Sequence, residues 1–521
     1  MTPRLAARWL APLSSRWVFL SLAGALVASG AVPVLYWGGN HDVAWLLYVA
    51  GRVLDGAHLY RDIIEINPPL IVFLSIPAAF FARALRVTDL LVYNVGTVAL
   101  AMGSVALAGR LLPRVLGRGH DWERRAILLL LLAALFPLAA ADFGQREHIL
   151  LALVLPYLCL SAGRAQGAAA SVREGLVVGA MAGFGLALKP FYVFLWLAIE
   201  AYLVFGRRAG APWKRAETLA VCGVQVMYLA AVLVLTPDYL TLLRWLGPVY
   251  ASLLPQPLGA ILINAEGVLA LLSVLAIAST RAAPEYRALR GVLLVATAAS
   301  LVAVLLQQKG WSYHYYPTRA EALIVLGVVL LSVGPPSPRR LPSVLAALPV
   351  LLLALDLGVV VTRRAREAVA QGRFEREVVR GQMVPFVRRY AREGPILALT
   401  VSLTPSFPLV NFSGADWALR FPSLWMIPAL STREKWRSLL SAERAPRRSR
   451  EESYLIDAVT TDLVTRKPAL IVVYAPSWGA PDLAGYFASA DRRFAAALTA
   501  YQPLRAIGGY GFYVLRGREA R

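Results

Sequence analysis

The chain has 521 residues, 58% of them hydrophobic, and a mean hydropathy of +0.59. A water-soluble protein of this length cannot bury that much apolar surface, so lipid must cover part of it. The 53 Lys and Arg against 31 Asp and Glu leave a net charge of +22, but the basic residues fall in short loops between apolar runs, a pattern of membrane topology that excludes a nucleic-acid partner.

Arg4, Arg8 and Arg16 precede an apolar run at 17–37. That run is too long for a signal-peptide core and has no small-residue cleavage site, so it reads as a retained first helix. Further apolar runs follow at 89–112, 126–141, 148–163, 175–188, 191–206, 216–236, 258–280, 291–308, 318–334 and 341–361. Most approach the ~20 residues needed to cross a bilayer, giving about eleven transmembrane helices. The two cysteines, Cys159 and Cys222, lie inside these runs and build no disulfide framework.

The run 68–85 decides the topology. If it does not span, the cytoplasmic segments hold Arg110, Arg114, Arg118, Arg124, Arg125, Arg164, Arg173, Arg207, Arg208, Lys214, Arg215, Arg281, Arg287, Arg290, Arg339 and Arg340. Beyond the first loop, the opposite short loops then hold only Arg146, Lys189, Arg244, Lys309 and Arg319. If it spans, nearly all the Arg-rich loops move outside, against the positive-inside rule. The run 68–85 is therefore expected to be an interfacial or re-entrant hairpin, with the N-terminus inside and the C-terminus outside. The proline-rich Pro335–Pro338 stretch reads as a short cytoplasmic connector.

After residue 361 hydropathy drops. Apolar β-type runs at 396–403, 469–474 and 510–515 alternate with helical patterns near 373–392, 451–466 and 482–500. The expected organisation is a transmembrane domain over 1–361 and a small extracytoplasmic α/β domain over 362–521.

Histidines and membrane-edge charges gather on the outer side, where ionisable residues are costly and usually functional. The first outer loop reads Gly39-Asn40-His41-Asp42, a segment of helical spacing over 43–55, then Gly56-Ala57-His58-Leu59-Tyr60-Arg61-Asp62 and Glu65-Ile66-Asn67-Pro68-Pro69-Leu70. An acidic residue just after the first helix, an amphipathic segment and Pro-Pro-Leu together resemble the GT-C glycosyltransferases, in particular the protein-mannosyltransferase and aminoarabinose-transferase branch. The resemblance extends to the plan of the chain: an α-helical polytopic protein, juxtamembrane helices in the first outer loop, and an outer C-terminal domain. It implies sugar transfer from a polyprenyl-phosphate carrier to a lipid, glycan or protein acceptor on the outer face of a bacterial inner membrane. It also implies that Asp42 is the base that deprotonates the acceptor hydroxyl; the alternative is that Asp42 N-caps a helix starting at Val43. Where the family carries an acidic pair, this chain has Asp42-Val43, so Glu65 is the candidate second carboxylate and Asp62 its runner-up.

The second outer motif is Asp142-Phe143-Gly144-Gln145-Arg146-Glu147-His148. Asp142 matches the family's acidic residue near the donor phosphate or a metal. Arg146 can meet phosphate as a planar fork, and Glu147 and His148 read either as ligands or as a helix start. The competing reading is a salt-bridged turn. Lys189, at the outer end of a helix, either snorkels or contacts phosphate. The segment 307–319 mixes cations with aromatics, as an interfacial belt does and as a sugar-phosphate site also does. From it, Lys309, His314 and Arg319 are candidates to stabilise the leaving phosphate.

No Walker loop, Rossmann glycine fingerprint, zinc cysteine cluster or Ser-His-Asp signature is present. No obligatory metal is expected; Asp42, Glu65 and Asp142 supply hard oxygen ligands if a divalent cation binds. The competing functions are a transporter or flippase, which calls for broken helices in matching halves, and a non-enzymatic envelope-polysaccharide assembly protein, which has no need of Asp42.

Overall fold

The computed structural model describes residues 11–37, 39–117, 119–206, 210–332, 342–392, 394–430, 448–474 and 482–517. Arg4, Arg8, Arg118, Arg207, Arg208, Arg339, Arg340 and the expected connector Pro335–Pro338 lie outside these residues. The chain is mostly helical with one small sheet near its C-terminus. Six helices among the described residues are long and apolar enough to cross a membrane: Arg16–Tyr36, Asp89–Leu116, Arg146–Ala165, Ala216–Leu235, Pro284–Gln307 and Ser312–Ser332. Shorter apolar helices occupy Leu70–Leu85, Pro190–Gly206 and Ala265–Ser279. This is a multi-pass membrane protein. The run expected at 258–280 is two helices, Leu258–Ile263 and Ala265–Ser279, divided by Asn264, whose side chain caps the second.

The chain divides into two compact units. The first comprises 1–36, 94–231 and 256–369. Its core is a continuous set of Leu, Val, Ile and Ala side chains in which the Arg146–Ala165 helix is buried almost along its whole length. A helix wrapped by protein on all sides has no lipid-facing surface, so polar residues at its start meet protein partners. Small residues allow close approach beside it. A Cβ placed on Gly179 lies 2.2 Å from the Glu217 carbonyl oxygen, and one on Gly183 lies 2.8 Å from Val224 Cβ. The Val172–Leu188 and Ala216–Leu235 helices therefore meet through a glycine stripe.

The second unit comprises 37–93, 232–255 and 370–521. The helices His41–Leu54 and Leu70–Leu85 pack together. The latter corrects the hairpin expected over 68–85: it is one continuous 16-residue helix containing Pro77, and at ~1.5 Å per residue it is shorter than a bilayer core. It ends where Arg86 turns left-handed (φ 56°), and Arg83 there grips Asp55 at 2.7 and 2.9 Å and the Gly51 carbonyl at 2.8 Å.

The C-terminal sheet has strands β1 (Ile396–Leu399), β2 (Leu470–Tyr474), β3 (Tyr501–Ile507) and β4 (Tyr510–Leu515) in the order β1-β2-β4-β3. β1 and β2 are parallel; β4 is antiparallel to both neighbours. Gly508 and Gly509, both at positive φ, make the two-residue β3–β4 turn. The helix expected at 373–392 is the continuation of a helix that begins at Pro342, runs to Phe374 and passes through a π-helical segment, Glu375–Met383, into Val384–Tyr390.

Candidate functional site

In the first unit the chain leaves the Asp121–Leu135 helix and makes a short 3-10 turn, Ala140–Asp142, before the Arg146–Ala165 helix. Ala140 (φ 45°) and Gly144 (φ 77°) both adopt left-handed backbone, which lets the chain reverse within a few residues. His148 locks this turn. Its Nδ1 accepts from the Gly144 amide at 3.2 Å and its Nε2 donates to the Leu135 carbonyl at 2.8 Å. Both ring nitrogens of His148, expected among the substrate-binding residues, thereby meet backbone groups.

Asp142 is buried and takes hydrogen bonds from Arg319 and from Arg364 Nη2 at 3.0 and 3.1 Å. Arg319, fully buried, also reaches Glu266 at 2.6 Å and the Ser312 carbonyl at 3.2 Å. Arg363 closes the array at 3.0 Å from Glu266. Three guanidiniums and two carboxylates thus form one network, buried except at Arg363, whose side chain is half exposed, and Arg319, expected at the leaving group, is held by two carboxylates. A planar fork bridging two acids is a task Lys cannot do. Glu266, Arg363 and Arg364 are not among the sequence-derived candidates. Glu266 had a signal, being a carboxylate inside an apolar run. Arg363 and Arg364 had none, since they follow the drop in hydropathy and read as the start of a soluble segment.

A second cluster surrounds Glu147, which is fully buried. Lys189 Nζ lies 2.6 Å from Glu147 Oε1 and donates to Gln307 Oε1 at 3.1 Å. His314 Nε2 is 3.9 Å from the same carboxylate oxygen, and the His314 carbonyl accepts from Tyr192 Oη at 3.3 Å. The charges of Lys189, Arg146 and Lys309 all act on His314. Gln308 (φ 52°) ends the helix Arg287–Gln307 and turns the chain into the segment carrying Lys309, Trp311, Tyr313 and His314. Lys309 sits over the Trp311 ring and Lys189 over the Tyr313 ring, at 5.8 and 5.5 Å from the centroids. Lys309 is only 6% exposed, and burial pushes its ammonium down to about 8. The motif residues Arg146, Lys189 and Lys309 thus gather at His314, with Lys189 and His314 both beside Glu147.

In the second unit Asn40, not Asp42, caps the His41–Leu54 helix. Its Oδ1 accepts from the Asp42 amide at 2.8 Å. The Asp42 side chain is 29% exposed, with His41 Nε2 at 3.8 Å from its Oδ1. Capping therefore does not occupy the Asp42 carboxylate. Glu65 is turned inward and buried. It accepts from the Trp45 indole, from the Asn67 amide at 2.7 Å and from Asn67 Nδ2 at 2.5 Å. Asp62 is exposed and accepts from the His58 amide at 2.8 Å, the main cause that holds its pKa below the ordinary carboxylate value, with the His58 ring 3.4 Å away.

No family model matches the chain, and no curated protein matches it. Among solved structures, ArnT from Cupriavidus metallidurans bound to undecaprenyl phosphate superposes with a TM-score of 0.56 at 12% identity, over 99% of this chain and 100% of that one. The apo state of the same protein gives 0.51 at 12% identity, over 98% of each chain. The chain has the fold of ArnT over nearly its whole length, the helical bulk and the sheet near the C-terminus included. Within it, no group of three or more His, Cys, Asp or Glu is placed to hold a metal among the described residues.

Proposed function

We propose that this protein is an inverting glycosyltransferase that moves a sugar from a polyprenyl-phosphate donor to an acceptor at the outer face of a bacterial inner membrane. The observation that carries this reading is the gathering of basic side chains at one point: the charges of Lys189, Arg146 and Lys309 all act on the His314 ring, which stands 3.9 Å from the buried Glu147 carboxylate. Such a group of cations is suited to a multiply charged anion. A phosphate on a lipid carrier supplies it, and ArnT with this fold is known bound to undecaprenyl phosphate.

The chemistry is a single displacement. The acceptor oxygen bonds to the anomeric carbon as its proton passes to Asp42, and the carbon–oxygen bond to phosphate breaks. The carrier leaves as a phosphomonoester with one more negative charge, and configuration inverts. Arg146, Lys189 and Lys309 stabilise that developing charge, with His314 contributing its ring beside them. Glu65, Asp142, Arg319 and His148 act as positioning residues, since their polar atoms already hold the first outer loop or the 140–148 turn. Asp62 shapes the 58–63 turn. The N-terminus is cytoplasmic and the segment 362–521 is an extracytoplasmic domain. This chemistry requires no obligatory metal.

The test is equilibrium binding of undecaprenyl phosphate to the purified chain in detergent. Lys189→Met and Lys309→Met are expected to weaken binding at least tenfold. Wild-type affinity in both variants overturns the phosphate assignment.

A further inference from the structure

A cavity of about 450 Å³ opens within the second unit, between the C-terminal half of the His41–Leu54 helix, the following turn to Ile63, and the 417–420 and 462–466 segments. Its volume falls in the ~300–1,000 Å³ range of small-molecule sites. Four guanidiniums line it, and each faces an acid or a backbone acceptor. Arg52 lies 2.8 Å from Asp416, Arg420 lies 2.7 Å from Asp462, and Arg61 lies 2.7 Å from Asp238. Arg466 donates to the Trp417 carbonyl at 2.5 Å and stands 3.9 Å from Asp416.

This lining discriminates between ligand classes. An anion needs unpaired positive charge, but the guanidiniums here are already matched by carboxylates. A lipid tail needs apolar walls, and these walls are charged. Hydroxyl groups, which both donate and accept, fit rows of fixed donors alternating with fixed acceptors. The 3.9 Å separation of Arg466 Nη2 from Asp416 Oδ2 is too long for a direct hydrogen bond, and it suits a ligand hydroxyl that accepts from the first and donates to the second. Tyr48 Oη holds Asp416 in place at 2.6 Å. Trp45 and Trp417, each packed edge-on against Phe407 at 5.0 and 5.2 Å between ring centroids, stiffen the floor. Trp45, Tyr48, Arg52 and Asp55 recur at helical spacing one turn beyond Asp42, so the cleft runs along the helix that carries the proposed base.

We infer that this cleft binds an uncharged oligosaccharide, the polyhydroxylated portion of the acceptor. The word acceptor rests on the transferase reading; the binding of a neutral glycan does not. The full-length protein in detergent is titrated by calorimetry with mannotetraose, arabinotetraose and maltotetraose as neutral probes and tetragalacturonate as the acidic one. At least one neutral probe is expected to bind, at least tenfold more weakly to Arg466→Met and to Arg466→Gln, and with wild-type affinity to Lys309→Met. Undecaprenyl phosphate binding retained by the Arg466 variants shows that they are folded. The inference is overturned if no neutral probe binds, if tetragalacturonate alone binds, or if the Arg466 variants bind as the wild type does. A protein that binds a neutral probe but not undecaprenyl phosphate keeps the cleft and sinks the donor reading instead.

Discussion

Lys189 Nζ stands 2.6 Å from Glu147 Oε1, with both side chains withdrawn from solvent. Neither group tolerates losing the other, because a buried charge without its partner costs several kcal/mol. Lys189→Met is expected to destabilise the protein by about 3–5 kcal/mol. Lys189→Met combined with Glu147→Gln recovers part of that loss by removing the orphaned acid. Thermal unfolding in detergent checks both, and equal melting temperatures for the single and double variants contradict the pairing.

Burial sets a pH limit at Lys309, whose ammonium titrates at about 8 rather than 10.5. The sign follows directly: the cation is present below that pH and lost above it. A phosphomonoester already carries most of its second charge above pH 7, its second pKa being about 6. Undecaprenyl phosphate affinity should therefore fall as pH rises through about 8. Lys309→Arg, whose guanidinium keeps its proton, should move that fall to higher pH. Dissociation constants measured from pH 6.5 to 9.5 in both proteins decide it, and an unchanged pH profile in the arginine variant counts against Lys309.

Glu65 and Asp42 should separate by stability. Glu65 accepts three hydrogen bonds from Trp45 and Asn67, so Glu65→Gln turns an amide donor toward donors and costs about 1–3 kcal/mol. Asp42→Asn leaves the Asn40 cap intact and should leave the melting temperature unchanged. A fall in both variants indicates that Asp42 is structural as well.

Arg319 joins Asp142 and Glu266, two acids 124 positions apart in sequence. Arg319→Lys keeps the charge but cannot fork to both. One of the two carboxylates loses its buried partner and keeps only Arg364 or Arg363, and a loss of about 2 kcal/mol is expected from the unfolding midpoint.

The helical, polytopic plan was legible because apolar runs near bilayer length have few alternatives. The clustering of Lys189, Lys309 and His314 was legible through their shared position at the ends of apolar runs. Other features were hidden for physical reasons. β3 was missed because Gln502, Pro503 and Arg505 give it the polar face and proline of an edge strand, with a bulge between Pro503 and Arg505. Asn40 was overlooked because Asp42 is an equally good capping residue, and only backbone geometry selects between them. The partnership of Arg364 with Asp142 spans 222 residues, and no local pattern carries that distance.

The most direct measurement is sugar transfer from an undecaprenyl-phosphate-linked donor by the protein reconstituted in liposomes, comparing wild type with Asp42→Asn. The account predicts transfer by the wild type and a loss of about 10²–10⁴-fold in the variant, with undecaprenyl phosphate still bound by both. Transfer at the wild-type rate by Asp42→Asn contradicts it.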